Sequence, residues 1–306
     1  MTSPERHMHN VYNHSLVLYN ISKYFYRLFR LRDGGKEVAT MPQTDKNTVA
    51  TEKLNLLEAR NYRVVKSNDL VQKSRFQLSA QEQKIILYLI SKIKPDHEKF
   101  ETQALSIGEF CRVCGINING KNYNDIKSAV KELADKSIWV MLDNGEETVI
   151  RWIERPFFNK RAGTIRVKFD DYMKPYLLQL HERFTQFELL YTLAMKSQYS
   201  IRLYEILKSY EYKRNIVLSV KELKEQLFAT QYSRYPDFKR NVLDKALKEI
   251  DELSDLNISY QVIKEGRTYT KFQFSIQLKS DMSERFMVWK NIEDVIGDKR
   301  KKASEC

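Results

Sequence analysis

The chain has 306 residues, a length typical of about two domains, and 42% of them are hydrophobic, which is enough for ordinary buried cores. No stretch is long and apolar enough to predict a membrane span, and only 9 glycines and 6 prolines argue against a fibrous or low-complexity protein. The 52 lysines and arginines exceed the 40 acidic residues and give a net charge of +12, which favours a polyanionic partner, either nucleic acid or an anionic membrane surface.

Cysteine usage predicts a reducing compartment. The chain has 3 cysteines, an odd number that argues against a disulfide framework and fits a cytoplasmic protein. Cys111 and Cys114 form a C-x-x-C pair, a spacing found in metal and redox sites. This pair lies inside a predicted helix, and no second pair accompanies it. We therefore predict two buried structural cysteines and no metal site.

Residues 1–60 have no sustained hydrophobic period and predict a leader followed by a mobile arm. The segment KEV at residues 36–38 can be encoded by a strong bacterial ribosome-binding sequence, and Met41 follows shortly after it. We hypothesise that translation begins at Met41 and that residues 1–40 are not native. Polar residues interrupt the segment 17–31, which therefore predicts neither a signal peptide nor a membrane anchor, and no membrane partner is expected.

The first regular unit begins with a short strand at residues 64–66 and a helix at 68–73, for which Asn68 is the expected N-cap. Two further helices begin with the spacing of a capping box, in which a serine precedes a glutamate by three residues. These pairs are Ser79 with Glu82 and Ser106 with Glu109. The buried face of the first of these helices is predicted to consist of Ile85, Ile86, Leu89, Ile90 and Ile93.

A third helix is predicted at residues 124–136. Its buried face is predicted to consist of Ile126, Val130 and Leu133. The segment DNGE at 143–146 contains Asn-Gly, which predicts a hairpin between strands at 138–142 and 148–153. A further strand is predicted at 165–169. Three helices followed by a hairpin are the order of a winged helix.

The same order returns in the second half of the chain. LSVKEL at 218–223 repeats LSIGEF at 105–110, and ALKEI at 246–250 repeats AVKEL at 129–133. Internal duplication predicts an α+β fold with two tandem winged-helix domains. The predicted divisions are a leader and arm at 1–60, the two winged helices at 61–183 and 184–280, and a basic tail at 281–306. The KRKK run at 299–302 in this tail is expected to be solvated and to add nonspecific DNA affinity.

Residues 234–276 contain the candidate recognition element. Pro236 suits a first helical turn because its ring fixes φ and it lacks an amide hydrogen. An apolar stripe follows at Phe238, Val242, Ala246, Ile250 and Leu253. Two strands, at 257–263 and 268–277, are joined by a basic turn at 264–267. A basic helix followed by a basic-tipped hairpin predicts the end of a DNA-binding winged helix.

Four segments carry a family resemblance, and they are SAQEQK at 79–84, YSIRLYE at 199–205, PDFKR at 236–240 and ISY at 258–260. Together they resemble the initiators of iteron-controlled bacterial plasmids, the Rep superfamily with two winged-helix domains, over residues 62–276. The resemblance implies a non-enzymatic protein whose monomers bind direct repeats in double-stranded origin DNA and help to open an AT-rich segment. It also implies homodimers, in equilibrium with monomers, that repress their own promoter, and the host replicative helicase and chromosomal initiator as partners. No Walker-type glycine loop occurs in the sequence, and no cofactor is expected.

The predicted DNA contacts are cationic and amide side chains near the starts of the two third helices and on the second hairpin. In the second unit they are Arg234, Lys239, Arg240, Asn241, Lys245, Lys264 and Arg267. In the first unit they are Lys121, Asn122 and Lys127. Arg240 suits guanine and Asn241 suits adenine, whereas the other cations suit phosphates. Because the first unit has fewer positive charges, we expect the second to supply most of the sequence specificity.

The sheet of the first unit is the candidate surface for self-association. Trp139, Val149 and Trp152 place large apolar side chains in or next to its hairpin. We expect core packing for at least two of them, with the remainder available to a second copy of the chain.

Two other functions are compatible with parts of this pattern. A transcriptional repressor could use the same fold without initiating replication. A rolling-circle nicking initiator would need paired histidines on a strand and a nucleophilic tyrosine. His7 and His9 lie close together in the leader, but His14, His97 and His181 are widely separated, which argues against a nicking enzyme.

Overall fold

The computed structural model describes residues 62–94 and 96–304, with side chains up to residue 296. The described residues lie within one compact unit. The leader and arm predicted at 1–60, with the hypothesised start at Met41 and the paired histidines, lie outside the described residues. Within the described residues, no helix combines the length and the apolar character needed to cross a bilayer.

Short helices and antiparallel strands alternate along the described residues. The helices are α1 (Asn68–Gln72), α2 (Ala80–Ile90), α3 (Ile107–Val113), α4 (Gly120–Asp135), α5 (Lys174–Leu177), α6 (Leu190–Leu193), α7 (Gln198–Ser209), α8 (Val220–Gln226), α9 (Tyr235–Phe238), α10 (Asp244–Leu253) and α11 (Met282–Ser304). The strands are β1 (Arg63–Ser67), β2 (Ser74–Arg75), β3 (Gln103–Ser106), β4 (Ser137–Met141), β5 (Glu147–Arg151), β6 (Phe157–Asn159), β7 (Thr164–Val167), β8 (Phe184–Glu188), β9 (Asn215–Ser219), β10 (Leu256–Glu265) and β11 (Thr268–Leu278). They pair as β1-β8, β2-β4-β5, β3-β7-β6 and β10-β11-β9.

Each half of the chain has the element order of a winged helix, as predicted. In the second half α7 is followed by β9, α8, the helical segment of α9 and α10, and the hairpin β10–β11. In the first half α2 is followed by β3, α3, α4 and two hairpins. Ser106 and Ser219 end β3 and β9, and each hydroxyl accepts a hydrogen bond from the amide three residues later, so these serines cap α3 and α8. The capping box predicted at Ser79 is complete, whereas at Ser106 the Glu109 carboxylate accepts hydrogen bonds from Tyr88 and Lys92 instead.

The wing of the first unit is a different hairpin from the predicted one. In the second unit the central strand β11 pairs with β9 and with its hairpin partner β10. The equivalent strand in the first unit is β7, which pairs with β3 and with its hairpin partner β6. The hairpin predicted around residues 143–146 exists as β4–β5, but it belongs to the sheet with β2. The turn at residues 160–163 is therefore the wing tip. Local sequence patterns do not show which hairpin is the wing, because the pairing of β7 with the distant strand β3 decides it.

Two helix starts also differ from the sequence expectation. Ser67 rather than Asn68 is the N-cap of α1, since its hydroxyl accepts a hydrogen bond from the helix. Helix α4 begins about one turn earlier than predicted, at Gly120, with Asn119 as its N-cap. Both segments contain adjacent residues that favour capping, and the choice between them depends on the incoming backbone direction.

Apolar positions predicted from periodicity form the buried core. The predicted residues of α2 and α4 are buried, apart from Ile93, which is half-buried. Cys111 and Cys114 are buried as predicted. Burial raises the pKa of the Cys111 thiol, which favours its protonated form. In the described part of the chain, no group of three or more His, Cys, Asp or Glu side chains is placed to hold a metal ion.

Helix α7 is buried along most of its length and contains the acidic member of a buried ionic network. The Glu205 carboxylate accepts hydrogen bonds from Lys66 Nζ at 2.8 Å and from Arg202 Nη1 at 3.4 Å. Arg202 Nη2 also donates to the backbone carbonyls of Val71 and Ser74, both at 2.9 Å. Burial lowers the pKa of Lys66, and the charge of Glu205 opposes this shift. The network joins β1 and the α1–β2 segment of the first unit to α7 of the second.

Strands β1 and β8 form an antiparallel ribbon against which α7 packs. The ribbon register places Ser67 opposite Phe184. Strand β1 belongs to the first predicted unit, and β8 begins the second unit at residue 184. Main-chain hydrogen bonds as well as the covalent linker therefore join the two units.

The sequence pattern predicted neither the short helices α5 and α6 nor the long helix α11. Helix α11 spans Met282–Ser304 and buries Val288, Ile292 and Ile296. Ile296 packs against Gly115, whose φ of +65° and missing side chain leave room for it. Several other large apolar side chains of α11 are exposed, namely Met282, Phe286, Met287 and Trp289. Because α11 has apolar residues on two faces, its sequence shows no clear helical period. The helix was therefore not predicted.

Replacing Glu205 should destabilise the fold far more than replacing Lys66. Glu205→Ala leaves two buried cations without an anion and should lower the free energy of unfolding by about 3–5 kcal/mol. Lys66→Met removes one cation and keeps the Arg202–Glu205 pair, so it should cost clearly less. Urea denaturation of both variants measures the difference, with Lys73→Ala at the exposed Lys73–Asp143 pair as a control that should change stability by about 1 kcal/mol or less. Equal losses for Glu205→Ala and Lys66→Met would contradict this account of the network.

Candidate nucleic-acid interface

A continuous helical segment over residues 235–253 forms the third helix of the second unit. Arg234 occupies the N-cap position with an extended backbone, and Pro236 lies in the first turn, as predicted. The five residues of the predicted apolar stripe are all buried, which confirms the orientation of the helix. Between α9 and α10 the chain makes a π turn over Lys239–Leu243. In an α-helix, residues spaced by four are rotated by about 40° from each other around the helix axis, so a stripe with this spacing winds around the helix. A π turn has more residues per turn and partly corrects this rotation.

The predicted contact residues Lys239, Arg240 and Asn241 lie within this π turn. Arg240 is exposed, with 75% of its side chain accessible, and its Nη2 lies 3.2 Å from Asp237 Oδ1. Lys239 Nζ donates to Asp244 Oδ2 at 2.7 Å, and this hydrogen bond raises the pKa of Lys239. Asn241 is half-buried. Exposed ion pairs of this kind contribute about 0–1 kcal/mol, so a phosphate can replace the carboxylate partner at little cost.

Arg234 and Lys245 complete the predicted contacts of this helix. Both side chains are exposed, Arg234 immediately before α9 and Lys245 in the first turn of α10. Asp244, which the sequence reasoning did not single out, lies between these positions and also accepts a hydrogen bond from the Tyr260 hydroxyl at 3.3 Å. This carboxylate therefore links the charged surface of the helix to strand β10.

The wing of the second unit packs against the start of the 235–253 helix. Gly266 has a φ of +61°, which permits the tight turn it forms with Arg267. Lys264 Nζ lies 4.5 Å from the centre of the Tyr269 ring. That ring stacks on Tyr235, with centroids 3.9 Å apart and an interplanar angle of 15°. The aromatic stack brings the predicted wing cation Lys264 to the helix start, whereas Arg267 remains exposed at the tip.

Sequence reasoning missed the two stacked tyrosines and one anchoring lysine. Lys224 Nζ donates to the carbonyls of Tyr232 and Ser233, at 2.8 and 3.0 Å, and lies 5.4 Å from the centre of the Phe238 ring. Desolvation lowers the pKa of Lys224. This lysine fixes the loop that leads into the 235–253 helix. For Tyr235, the only local sign of a special role was its position next to Pro236. Tyr269 gave no sign, because tyrosine is common in β-strands.

In the first unit, the predicted contacts lie on α4. Lys121 is exposed in the first turn. Asn122 Nδ2 donates to the carbonyl of Asn117 at 2.7 Å, so this amide stabilises the preceding loop. Lys127 Nζ lies 5.5 Å from the centre of the Phe158 ring in β6. The lysine thus connects α4 to the β6–β7 wing, which sequence reasoning did not predict.

The β6–β7 wing carries cations that the predicted site lacked. Lys160 and Arg161 are exposed at its tip, and Arg166 CZ lies 5.1 Å from the centre of the Phe157 ring. The segment NKRAGT at residues 159–164, between residues of high β propensity, was the signal that could have identified this hairpin. The first unit therefore has more positive charge near α4 than the sequence prediction assumed.

The outer face of the β4–β5 hairpin carries the apolar side chains considered for self-association. Trp139 and Val149 are directly opposite each other across the strands, and each is 48% exposed. Trp152 is buried and packs edge-to-face on Phe76 at 5.1 Å. The expectation that at least two of these three residues pack in the core is therefore wrong. Side chains that alternate along β4 and β5 define two faces of the hairpin. The sequence does not show which of these faces the rest of the chain buries.

Comparison with known proteins places both units in one family. A family model described as Initiator Replication protein, WH1, matches residues 63–208, and a model described as Initiator Rep protein, WH2, matches residues 219–276. The matches cover about two thirds of the chain. The order of the two models along the chain agrees with the order of the two winged helices in the structure.

Two curated relatives come from Escherichia coli. The PI protein is 30% identical over 177 residues, which are 52% of this chain and 57% of the relative. The chain thus matches little more than half the length of this protein. An uncharacterized 27.6 kDa protein is 22% identical over 232 residues, which are 71% of this chain and 95% of the relative.

Among solved structures, a crystal structure of domains 2 and 3 of RctB is similar with a TM-score of 0.42 and 13% identity, over 66% of this chain and 81% of that one. The two family matches, in the order that the fold requires, are the stronger finding. This chain belongs to the family of initiator replication proteins and carries both of its winged-helix domains, WH1 and WH2.

Proposed function

We propose that this chain initiates the replication of a plasmid by binding direct repeats in double-stranded origin DNA. The support is that both domains of an initiator family are matched in order, and that the second presents the exposed Arg240 on a helix followed by a basic hairpin. Proteins of this family are DNA-binding proteins rather than enzymes, so no catalytic step is assigned to the chain.

In this proposal the 235–253 helix lies in the major groove of the repeat. Arg240 binds a guanine through two hydrogen bonds, and Asn241 beside it binds an adenine. The phosphate contacts are assigned to Arg234, Lys239, Lys245, Lys264 and Arg267. Lys239 exchanges its exposed partner Asp244 for a phosphate, which costs little because exposed ion pairs are weak.

The first unit is proposed to bind an adjacent major groove through Lys121, Asn122 and Lys127 of α4. Successive major grooves on one face of the duplex are about 10 base pairs apart, so the linked units span roughly two helical turns. The amide of Asn122 already holds the loop before α4, and its proposed contribution is therefore to position Lys121. Linkage strengthens binding because the second unit acts at high effective concentration once the first is bound.

Homodimers are proposed to form through the β4–β5 face of the first unit. The exposed pair Trp139 and Val149 supports this surface, and β5 is an edge strand of its sheet. In keeping with the family resemblance, we propose that dimers repress the protein's own promoter and monomers occupy the repeats. We further propose that bound monomers help to open an AT-rich segment and recruit the host helicase and chromosomal initiator.

The DNA that flanks the gene provides the direct test of this function. It should contain direct repeats of roughly two helical turns that the protein binds in a gel shift, and a circle carrying gene and repeats should replicate autonomously in its host. Binding without autonomous replication would instead support the alternative of a winged-helix transcriptional repressor.

Arg240→Ala should weaken binding to the repeat and relax selectivity at one base pair. Loss of one bidentate base contact costs about 1–3 kcal/mol, or roughly fivefold to 150-fold in affinity. Fluorescence anisotropy with repeats substituted at each position measures both effects. Lys248→Ala, which removes an exposed cation near the end of the same helix, is the matched control and should change little. Unchanged affinity and selectivity in Arg240→Ala would show that this helix does not read bases.

Lys264→Ala and Arg267→Ala should weaken binding to all DNA sequences alike. Each removes one phosphate contact, so the slope of log affinity against log salt should become shallower by about 0.9 per substitution. Lys213→Ala is a control at the other end of the hairpin, where the Ile276 amide donates to the Arg214 carbonyl. A salt slope equal to that of the unsubstituted protein would exclude phosphate contacts at this wing.

Trp139→Ser should reduce dimerisation without loss of repeat binding by the monomer. A central tryptophan in an interface contributes about 2 kcal/mol or more, so the dimer dissociation constant should rise at least about thirtyfold. Sedimentation equilibrium measures the effect, and Val217→Ser, at an exposed apolar position of the second unit, is the control. An unchanged dimer dissociation constant would rule out the β4–β5 face.

A further inference from the structure

The two hairpins of the first unit have opposite charge. Between Arg155 and Lys168, the segment that contains the β6–β7 wing has five lysines and arginines and no acidic residue. The residues around the β4–β5 turn instead include Asp143, Glu146 and Glu147. A polyanion is therefore attracted to the first segment and repelled from the second.

We infer that the β6–β7 wing is a separate duplex-DNA contact, which inserts Phe157 into the minor groove beside the repeat while Lys160 and Arg161 bind the flanking phosphates. The inference rests on the proposed binding of origin repeats. It adds a contact to DNA outside the base pairs that the two helices read.

Exposure of Phe157 is the first observation that carries this inference. Phe157 is 53% exposed, although it lies in a strand of a paired sheet. Its ring lies on the outer face of the sheet beside its cross-strand partner Arg166, at 5.1 Å, whereas the next residue, Phe158, lies on the opposite face beside Lys127. Apolar side chains flanked by cations are the combination with which proteins enter the minor groove and partly unstack a base step.

The tip itself is well ordered by hydrogen bonds and carries uncompensated charge. Asn159 Oδ1 accepts a hydrogen bond from the Ala162 amide at 3.0 Å, and Gly163 adopts a φ of +62°. Lys160 and Arg161 are exposed and, among residues 62–94 and 96–296, have no carboxylate within ion-pair distance. Two such cations on a fixed turn can neutralise two phosphates without first breaking an internal pair.

The position of the wing favours duplex DNA over other polyanions. The Gly163 carbonyl accepts a hydrogen bond from the Ile107 amide at 3.1 Å, which fixes the tip beside the start of α3. Lys127 links the hairpin to α4, the helix equivalent to the 235–253 segment. When α4 lies in a major groove, a hairpin beside it meets the bordering phosphates and then the next minor groove. A single strand or an anionic membrane would not require this placement next to α4.

The experiment compares a duplex that contains the repeat alone with duplexes extended by about 10 base pairs, one helical turn, on either side. The unsubstituted protein should bind one extended duplex more tightly, and Lys160→Ala/Arg161→Ala should lose this gain while binding the repeat alone normally. Because two phosphates are involved, the gain should shrink about tenfold between 50 and 200 mM salt. Lys213→Ala serves as the charge control, and equal Tm values show that the variants are folded.

Phe157→Ala tests the minor-groove contact separately. The unsubstituted protein should prefer a flank with TA steps to one with GC steps, since TA steps unstack more easily. Replacing guanine with inosine in the GC flank removes only the minor-groove amino group and should restore part of the affinity. The Phe157→Ala variant should lose this discrimination and keep its salt slope. Phe184→Ala, at another exposed phenylalanine, is the control.

Several outcomes would overturn the inference. A Lys160→Ala/Arg161→Ala protein that gains as much from the extension as the unsubstituted protein excludes the phosphate contacts. Undiminished flank discrimination in the phenylalanine variant excludes the minor-groove contact. Loss of oligothymidine or phosphatidylglycerol-vesicle binding with an intact flank gain would assign the wing to a single strand or a membrane instead. Failure of the unsubstituted protein to bind the repeat alone would contradict the proposed function, which is a distinct result.

Discussion

Glu205 is 2% exposed and lies between Lys66 of β1 and Arg202 of its own helix. Since a buried charge is tolerated only when it is paired, these side chains must meet whenever α7 packs against the β1–β8 ribbon. Arg202 also donates to carbonyls of the first unit, which restricts where that unit can lie on the second. The relative placement of α4 and the 235–253 helix, and hence the spacing of any two grooves that they bind, depends on this pairing.

The 235–253 helix has a buried face that positions it and an exposed face that is proposed to bind DNA. Its buried stripe, the stack of Tyr235 on Tyr269 and the anchoring of the preceding loop by Lys224 hold the helix and wing as one body. Its outer face carries exposed cations whose carboxylate partners are weak enough to be exchanged for phosphates. A recognition surface that is already in place loses little conformational freedom when it binds, which favours affinity.

The first unit presents two hairpins of different chemistry. The β4–β5 hairpin has an acidic tip and an exposed apolar pair, Trp139 and Val149, which suit contact with another protein molecule. The β6–β7 hairpin has a basic tip and suits a polyanion. Because they belong to different sheets, one hairpin can be engaged without occupying the other. This separation offers a physical basis for one domain to take part in both self-association and DNA binding.

Local chemistry was sufficient to predict much of this protein. Serine caps, apolar stripes at helical spacing and glycine turns involve residues within a few positions of each other, so the sequence alone determined the order of the winged-helix helices, the second-unit wing and the internal duplication. Tertiary structure decided which first-unit hairpin is the wing, because β3 selects β7 across a long separation. It also decided that Trp139 is exposed and Trp152 buried, and that α11 docks at Gly115. Which side chains are buried, and which helices lie close to each other, depends on residues far apart in the sequence. Local sequence patterns contain no information about such contacts.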